Sequence, residues 1–191
     1  MISVDRPRRN RSGIKEAKGR EEMKHAKLVL CCLIAIIAVA TMAWSAELPP
    51  PRGRPILVIS GEIDSTNKDG TAQFDRKMLE DLGTVTVETT TPWHNARVRF
   101  EGVPLARLMK HVGAKGQKVT AIALNDYSTE IPLSDFEQFG TILAIKRDGE
   151  YMPVRDKGPL FVIYPYDSRP ELKSQLYYGR SAWQVSKLVV R

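Results

Sequence analysis

Along residues 56–191 the apolar positions change period several times, and each change marks an element. ILVIS (56–60) is a short apolar run and reads as a strand. In FDRKMLEDL (74–82), Phe74, Met78, Leu79 and Leu82 share one helical face, and Gly83 stops the helix. TVTVETTT (84–91) is β-branched throughout, so it predicts a second strand. Pro104 suits the first turn of a second helix, in which Leu105, Leu108, Met109 and Val112 lie on one side before Gly113. The pattern then turns to strands: VTAIAL (119–124) leads into NDYSTEIPL, and ILAIKRDGEYMPV (142–154) carries an Asp148-Gly149 hairpin signal. GPLFVIYPY (158–166) is apolar without a break and predicts a buried central strand. Residues 166–182 read as a long polar loop of the kind that is usually a binding element or disordered, and WQVSKLVV (183–190) closes the chain. The predicted class is α+β, a mixed and mostly β core with two short helices.

Upstream of this domain the pattern is different. Residues 28–43 (LVLCCLIAIIAVATMA) form one uncharged apolar run, preceded by Lys24 and Lys27 and followed by small residues. At 16 residues it falls short of the roughly 18–20 that a membrane span needs, and its flanks are those of a secretory signal peptide. Residues 1–45 are therefore assigned to a signal peptide with a charged N-terminal extension, 46–55 to a Pro-rich, exposed lead-in, and 56–191 to the folded domain. The expected location is the periplasm. Charge supports this division. Residues 1–27 hold nine Lys/Arg against four Asp/Glu, so of the chain's net +7 only +2 belongs to residues 28–191. The high pI is thus a property of the leader, and no nucleic-acid footprint remains. Both cysteines, Cys31 and Cys32, also lie in the leader. The exported domain has no disulfide, no thiolate nucleophile and no sulfur ligand for a metal.

The motifs FEGVPLARLM (100–109), DYSTEIPLSD (126–135), ILAIKRDGEYMPVRDKGPLFVIYP (142–165) and W-x-V-S-K-L-x-V (183–190) stand in an order that resembles the oxidoreductase molybdopterin-binding domain of the sulfite-oxidase-like family. The resemblance runs from about residue 55 to the end. It implies a sulfite-oxidase-like α+β fold with a pterin cofactor among strands and connecting loops. In the family's enzymes, the segment before F-x-G-V-P-L supplies a cysteine that binds molybdenum. Here that segment is TTTPWHNARV, without cysteine. The chain is similar in this to a cysteine-less periplasmic subgroup that binds pterins and relays them to membrane-bound signalling enzymes of the cyclic di-GMP type.

A pterin is a flat bicyclic ring with two adjacent donors on one edge and acceptors beside them. It calls for an aromatic face, a carboxylate or carbonyl, and an Arg, Ser or backbone N–H. Trp93 could stack on it, and His94 and Asn95 could donate to it. Asp126 and Tyr127 lie in the family's loop ahead of IPL. Arg180, Ser181 and Trp183 fall where the family's cofactor-binding Lys and Ser stand. Each has a plainer reading: Trp183 as core, Asp126 as a turn former, Arg180 as a surface cation. One of Tyr164 and Tyr166 is expected to face the pocket, while Asp167 and Arg169 cap turns. His94 lacks neighbouring ligands in the sequence, and His111 suits the end of its helix, so no metal site and no molybdenum are expected. The cofactor is molybdopterin or a reduced, metal-free pterin. The leading expectation is a non-catalytic pterin-binding protein whose partner is the periplasmic domain of a membrane signalling enzyme. The alternatives are a molybdopterin-dependent oxidoreductase with unusual metal ligation, and an adaptor that has lost its ligand.

Overall fold

The unbroken apolarity of some strand segments and the polar interruptions of others follow from two sheets with different degrees of covering. The computed structural model describes residues 47–191; the predicted leader lies outside the described residues. The first sheet contains β1 (Leu57–Gly61), β2 (Ala72–Phe74), β5 (Lys118–Ala123), β6 (Ser128–Pro132) and β10 (Val185–Val190), in the order β2-β1-β10-β5-β6. β1 and β10 run parallel and the other pairs antiparallel, so the sheet is mixed. Its strands alternate. Leu57, Ile59, Val119, Ala121, Leu188 and Val190 point into the core, and the residues between them face outward.

The second sheet contains β3 (Val85–Thr91), β4 (His94–Pro104), β7 (Ile142–Arg147), the two-residue β8 (Glu150–Tyr151) and β9 (Phe161–Ile163). Its order is β3-β4-β7, with β8 and β9 sharing the far edge of β7. Both faces are covered along β7 and β9, whereas β3 and the first half of β4 keep one face exposed. Leu143, Ile145 and Val162 join the main core, whereas Ile142, Ala144, Phe161 and Ile163 build a second apolar cluster with Val98, Phe100 and Met152. This double burial is why β7 and β9 read as apolar without alternation. The run at 158–166 is buried as expected, but its strand is shorter and not central: β9 is three residues, paired with β7 on one side and on the other only bridged to Trp183, with the Val162 N–H on the Ala182 carbonyl.

Four short helices complete the described fold: α1 (Arg76–Asp81), α2 (Leu105–His111), α3 (Leu133–Phe139) and α4 (Gln175–Arg180). α2 buries Leu105, Leu108 and Met109, with Val112 behind them, as its spacing predicts. α1 is shorter than expected, since Phe74 ends β2 and Asp75 caps the helix by accepting from the Met78 N–H at 2.9 Å. α3 and α4 were not expected. α3 follows Pro132 and ends at Gly140 in the left-handed conformation (φ 68°). α4 lies inside the segment read as a loop, whose other turns are 3-10 (Tyr166–Ser168, Pro170–Leu172). The Pro-rich lead-in is mostly exposed but held to the domain at two points. Leu48 is buried with its N–H on the Thr66 carbonyl, and the Arg52 and Gly53 N–H groups both donate to Asp75.

Candidate functional site

The β3–β4 hairpin turns at Pro92-Trp93, and that turn sets the site. Trp93 is half-buried and packs against both apolar clusters, at the seam between them. It meets Phe161 at 5.4 Å between ring centroids, Trp183 at 5.6 Å, Tyr178 at 6.0 Å and Tyr166 at 6.3 Å. The last three contacts are edge-to-face, the arrangement favoured by ring quadrupoles. Trp183 is 37% exposed. It presents the open aromatic surface of the group, with the Lys157 Nζ 5.7 Å from its ring centroid.

His94, the next residue, has both ring nitrogens engaged. Its Nε2 lies 3.3 Å from Arg147 Nη1, which can only donate. Nε2 therefore accepts, the proton sits on Nδ1, and Nδ1 donates to Thr91 Oγ1 at 2.7 Å. The same Thr91 oxygen accepts the Trp93 N–H at 3.3 Å. Burial and the neighbouring Arg147 charge hold the His94 pKa below its ordinary value, so the ring is a neutral strut. Arg147 in turn clasps Asp156 through two bonds of 3.1 and 2.6 Å, and that pairing holds the Asp156 carboxyl below its usual range. The backbone here is held in sparsely populated conformations. Lys157 and Gln184 both have positive φ (64° and 55°), and the Gln184 N–H donates to the Lys157 carbonyl at 3.0 Å. Strain of this kind persists where neighbouring structure enforces it, often at binding sites.

The structure thus brings Trp93, His94 and Trp183 into one neighbourhood. The other nominated residues are placed differently. Asn95 is exposed near the start of β4. Asp126 sits at positive φ (65°) in the β5–β6 turn, and Tyr127 beside it is exposed, its hydroxyl donating to the Gly179 carbonyl at 2.9 Å. Arg180 turns away toward α3, where its Nη1 donates to the buried Asp135 at 2.8 Å and the Tyr164 hydroxyl donates to the same oxygen at 2.7 Å. Ser181 is buried: it donates to the Tyr177 carbonyl at 2.8 Å and accepts a short hydrogen bond from Tyr166. Of the tyrosine pair, Tyr166 borders the aromatic group and Tyr164 faces Asp135. Asp167 does more than cap a turn. It accepts from the Thr90 N–H at 2.8 Å and from Lys173 at 2.7 Å, tying the 166–174 segment to β3.

Arg147, Asp156, Lys157, Phe161 and Tyr178 were not nominated from sequence. The signal that could have found the three charged ones is KRDGEYMPVRDKGP, where charges interrupt two apolar strands on either side of a hairpin. For a metal the donor set is poor. Among the described residues no three His, Cys, Asp or Glu side chains converge, and His94 has no free nitrogen. For a flat heterocycle the set is good: an open indole, an ammonium beside it, and a carboxylate fixed by Arg147.

Comparison with known proteins gives one family. The profile described as oxidoreductase molybdopterin binding domain matches residues 72–167, just over half the chain. The match includes the hairpin, Arg147 and the 154–157 turn, and stops before Trp183. No curated protein matches the chain.

Proposed function

Because the chain belongs to the oxidoreductase molybdopterin-binding domain family, we propose that it binds the ring of a pterin against Trp183, beside the Trp93–His94 turn. Asp156 would accept from the donor edge of the ring and Lys157 would donate to its carbonyl. Trp93 and His94 hold the surface in place. We further propose that the protein is exported to the periplasm by its leader and works as a pterin-responsive relay. A membrane-bound signalling enzyme of the cyclic di-GMP type would be its partner, and no electron transfer would be involved. The observation that carries this reading is the hairpin itself: the segment that resembles the family's metal-binding stretch offers Trp93 and a fully engaged His94, with no sulfur donor of the thiolate kind from residue 47 onward.

A second reading is favoured by the family profile, which describes an oxidoreductase domain. Here the bound group is molybdopterin, the metal is held by a donor other than thiolate, and these residues bind and orient the pterin alone. Metal analysis and fluorescence of the purified protein separate the two. A co-purifying or added reduced pterin without molybdenum supports the relay. Stoichiometric molybdenum with turnover of sulfite or a sulfoxide establishes the oxidoreductase. Trp183→Ala should weaken pterin binding by roughly tenfold or more, the scale of one lost stacking contact.

A further inference from the structure

Apart from the hairpin site, a cleft of about 920 Å³ opens on the outward face of the first sheet. Its floor is apolar: Val58 from β1 and Ile56 just before it, then Leu124, Val154 and Pro159 from the flanking loops. Leu124 and Val154 are 53% and 50% exposed, high for large apolar side chains lying together. The rim is cationic, with Arg52, Arg54, Arg76, Lys77 and Lys187. Lys77 pairs with Asp81, and Arg76 lies over the Tyr151 ring at 4.2 Å. Among the described residues the side chains of Arg52, Arg54 and Lys187 have neither ion pair nor hydrogen bond. The one acid in the lining, Asp75, is buried and engaged by the N–H groups of Arg52, Gly53 and Met78. It neutralises little of the rim.

This chemistry selects an occupant. A small-molecule site needs a few buried polar groups that converge on the ligand; here the cations are all exposed and Asp75 has no free role. Residues 1–27 of the same chain carry +5, the sign of the rim, and do not complement it. An occupant needs carboxylates spaced among apolar side chains. The cleft also adjoins the pterin site. The Leu124 N–H donates to the Gln184 carbonyl at 2.9 Å, and the Gln184 side chain donates to the Val154 carbonyl at 2.6 Å. The floor is therefore tied to the residue next to Trp183.

We propose that this cleft docks an acidic, apolar-bearing segment of a partner protein. Its carboxylates meet Arg52, Arg54 and Lys187, and its apolar side chains cover Leu124 and Val154. The proposal rests on the relay reading, which requires a partner. The test uses the protein purified as the cell processes it, a synthetic peptide alternating Glu with Leu, the same peptide with Lys for Glu, and vesicles of phosphatidylglycerol. The Glu–Leu peptide should bind, weaken as salt rises, and lose roughly tenfold or more in affinity in Arg52→Glu/Arg54→Glu/Lys187→Glu. That variant alters exposed side chains without partners and keeps the backbone bonds to Asp75, so its unfolding midpoint and its pterin affinity should match the parent. Equal binding of the Lys peptide, or Glu–Leu binding that ignores the variant, overturns the proposal. So do vesicles that bind through these three cations while the peptide does not, since that outcome makes the cleft a membrane face. Pterin titration of the same samples reports separately on the ligand reading.

Discussion

Single side chains at this site carry roles that their identity alone does not reveal. His94 is the clearest case. A histidine in a binding loop suggests a ligand or a proton carrier, yet its surroundings hold it neutral between Arg147 and Thr91. Its pKa is lowered from 6.5, by burial first and the Arg147 charge second. The folded state thus binds this proton less readily than the unfolded state. Its contribution to stability is full above about pH 6.5 and is lost as pH falls toward the depressed folded value. Between about pH 7 and 5 the urea midpoint of the protein should fall, and His94→Gln should flatten that slope without reversing it. Arg180 is the second case. Its type and place suggest a ligand contact, but its guanidinium balances the buried Asp135, which also accepts from Tyr164. Removing one member strands the other, so Asp135→Ala should cost about 3 kcal/mol in equilibrium unfolding. Asp135→Leu/Arg180→Met should recover part of that loss. An Arg180 that instead contacted the ligand would leave stability near the parent's and impair pterin binding alone. Long-range pairs of this kind, 45 residues apart in the chain, leave no local trace in a sequence, which is why the residue could be nominated but not its partner.

Elements were legible where one face is buried and one is wet. α2 has that property, and its spacing gave away both type and facing; in the first sheet β1 and β5 were readable as strands, but β2, whose Phe74 reads as part of a helix, was not. β7 and β9, buried on both faces, lack that property, so β9 read as apolar without disclosing that β7 is the one strand it pairs with. α4 was hidden by composition: QLYYGR buries no residue and has no apolar stripe to detect, although Tyr177 and Tyr178 pack laterally on the core. Gly102, inside the FEGVPL motif, shows the reverse, a signal present but without its reason. The β4–β7 register shifts between Glu101 and Gly102, and a Cβ there would meet the Leu143 carbonyl oxygen at 2.2 Å and the Ala144 Cα at 2.5 Å. Neither is a flexible side-chain end, so the strands must part. Gly102→Ala should lower the unfolding free energy by about 3 kcal/mol or more, the range of severe backbone or core disruption. Gly149→Ala at the exposed β7–β8 turn has open space for its Cβ and only an unfavourable φ of 86°; it should cost less than half as much in the same measurement.

For the molecule as a whole, two apolar clusters share one sheet and Trp93 spans the seam between them. Only the α+β class, not its division into two sheets, was readable from the change of period along the chain. The seam was not, because it arises from contacts among residues 93, 161, 166, 178 and 183 that only the closed fold brings together. A ligand resting on Trp183 would touch a group of rings that packs into both clusters, and its binding energy would add to the stability of the whole domain. A relay needs this property, since a bound form can differ from a free form only to the extent that the ligand favours one of them. A reduced pterin at a hundredfold excess over its Kd should therefore raise the unfolding free energy by about 2.7 kcal/mol. The increment should grow with the logarithm of concentration, appear in one cooperative transition, and shrink to about 1.4 kcal/mol or less at the same pterin concentration in Trp183→Ala, whose binding is roughly tenfold or more weaker. Trp93→Ala should behave differently, lowering stability by about 3 kcal/mol before any ligand is added, because that indole holds the seam whether or not the site is filled.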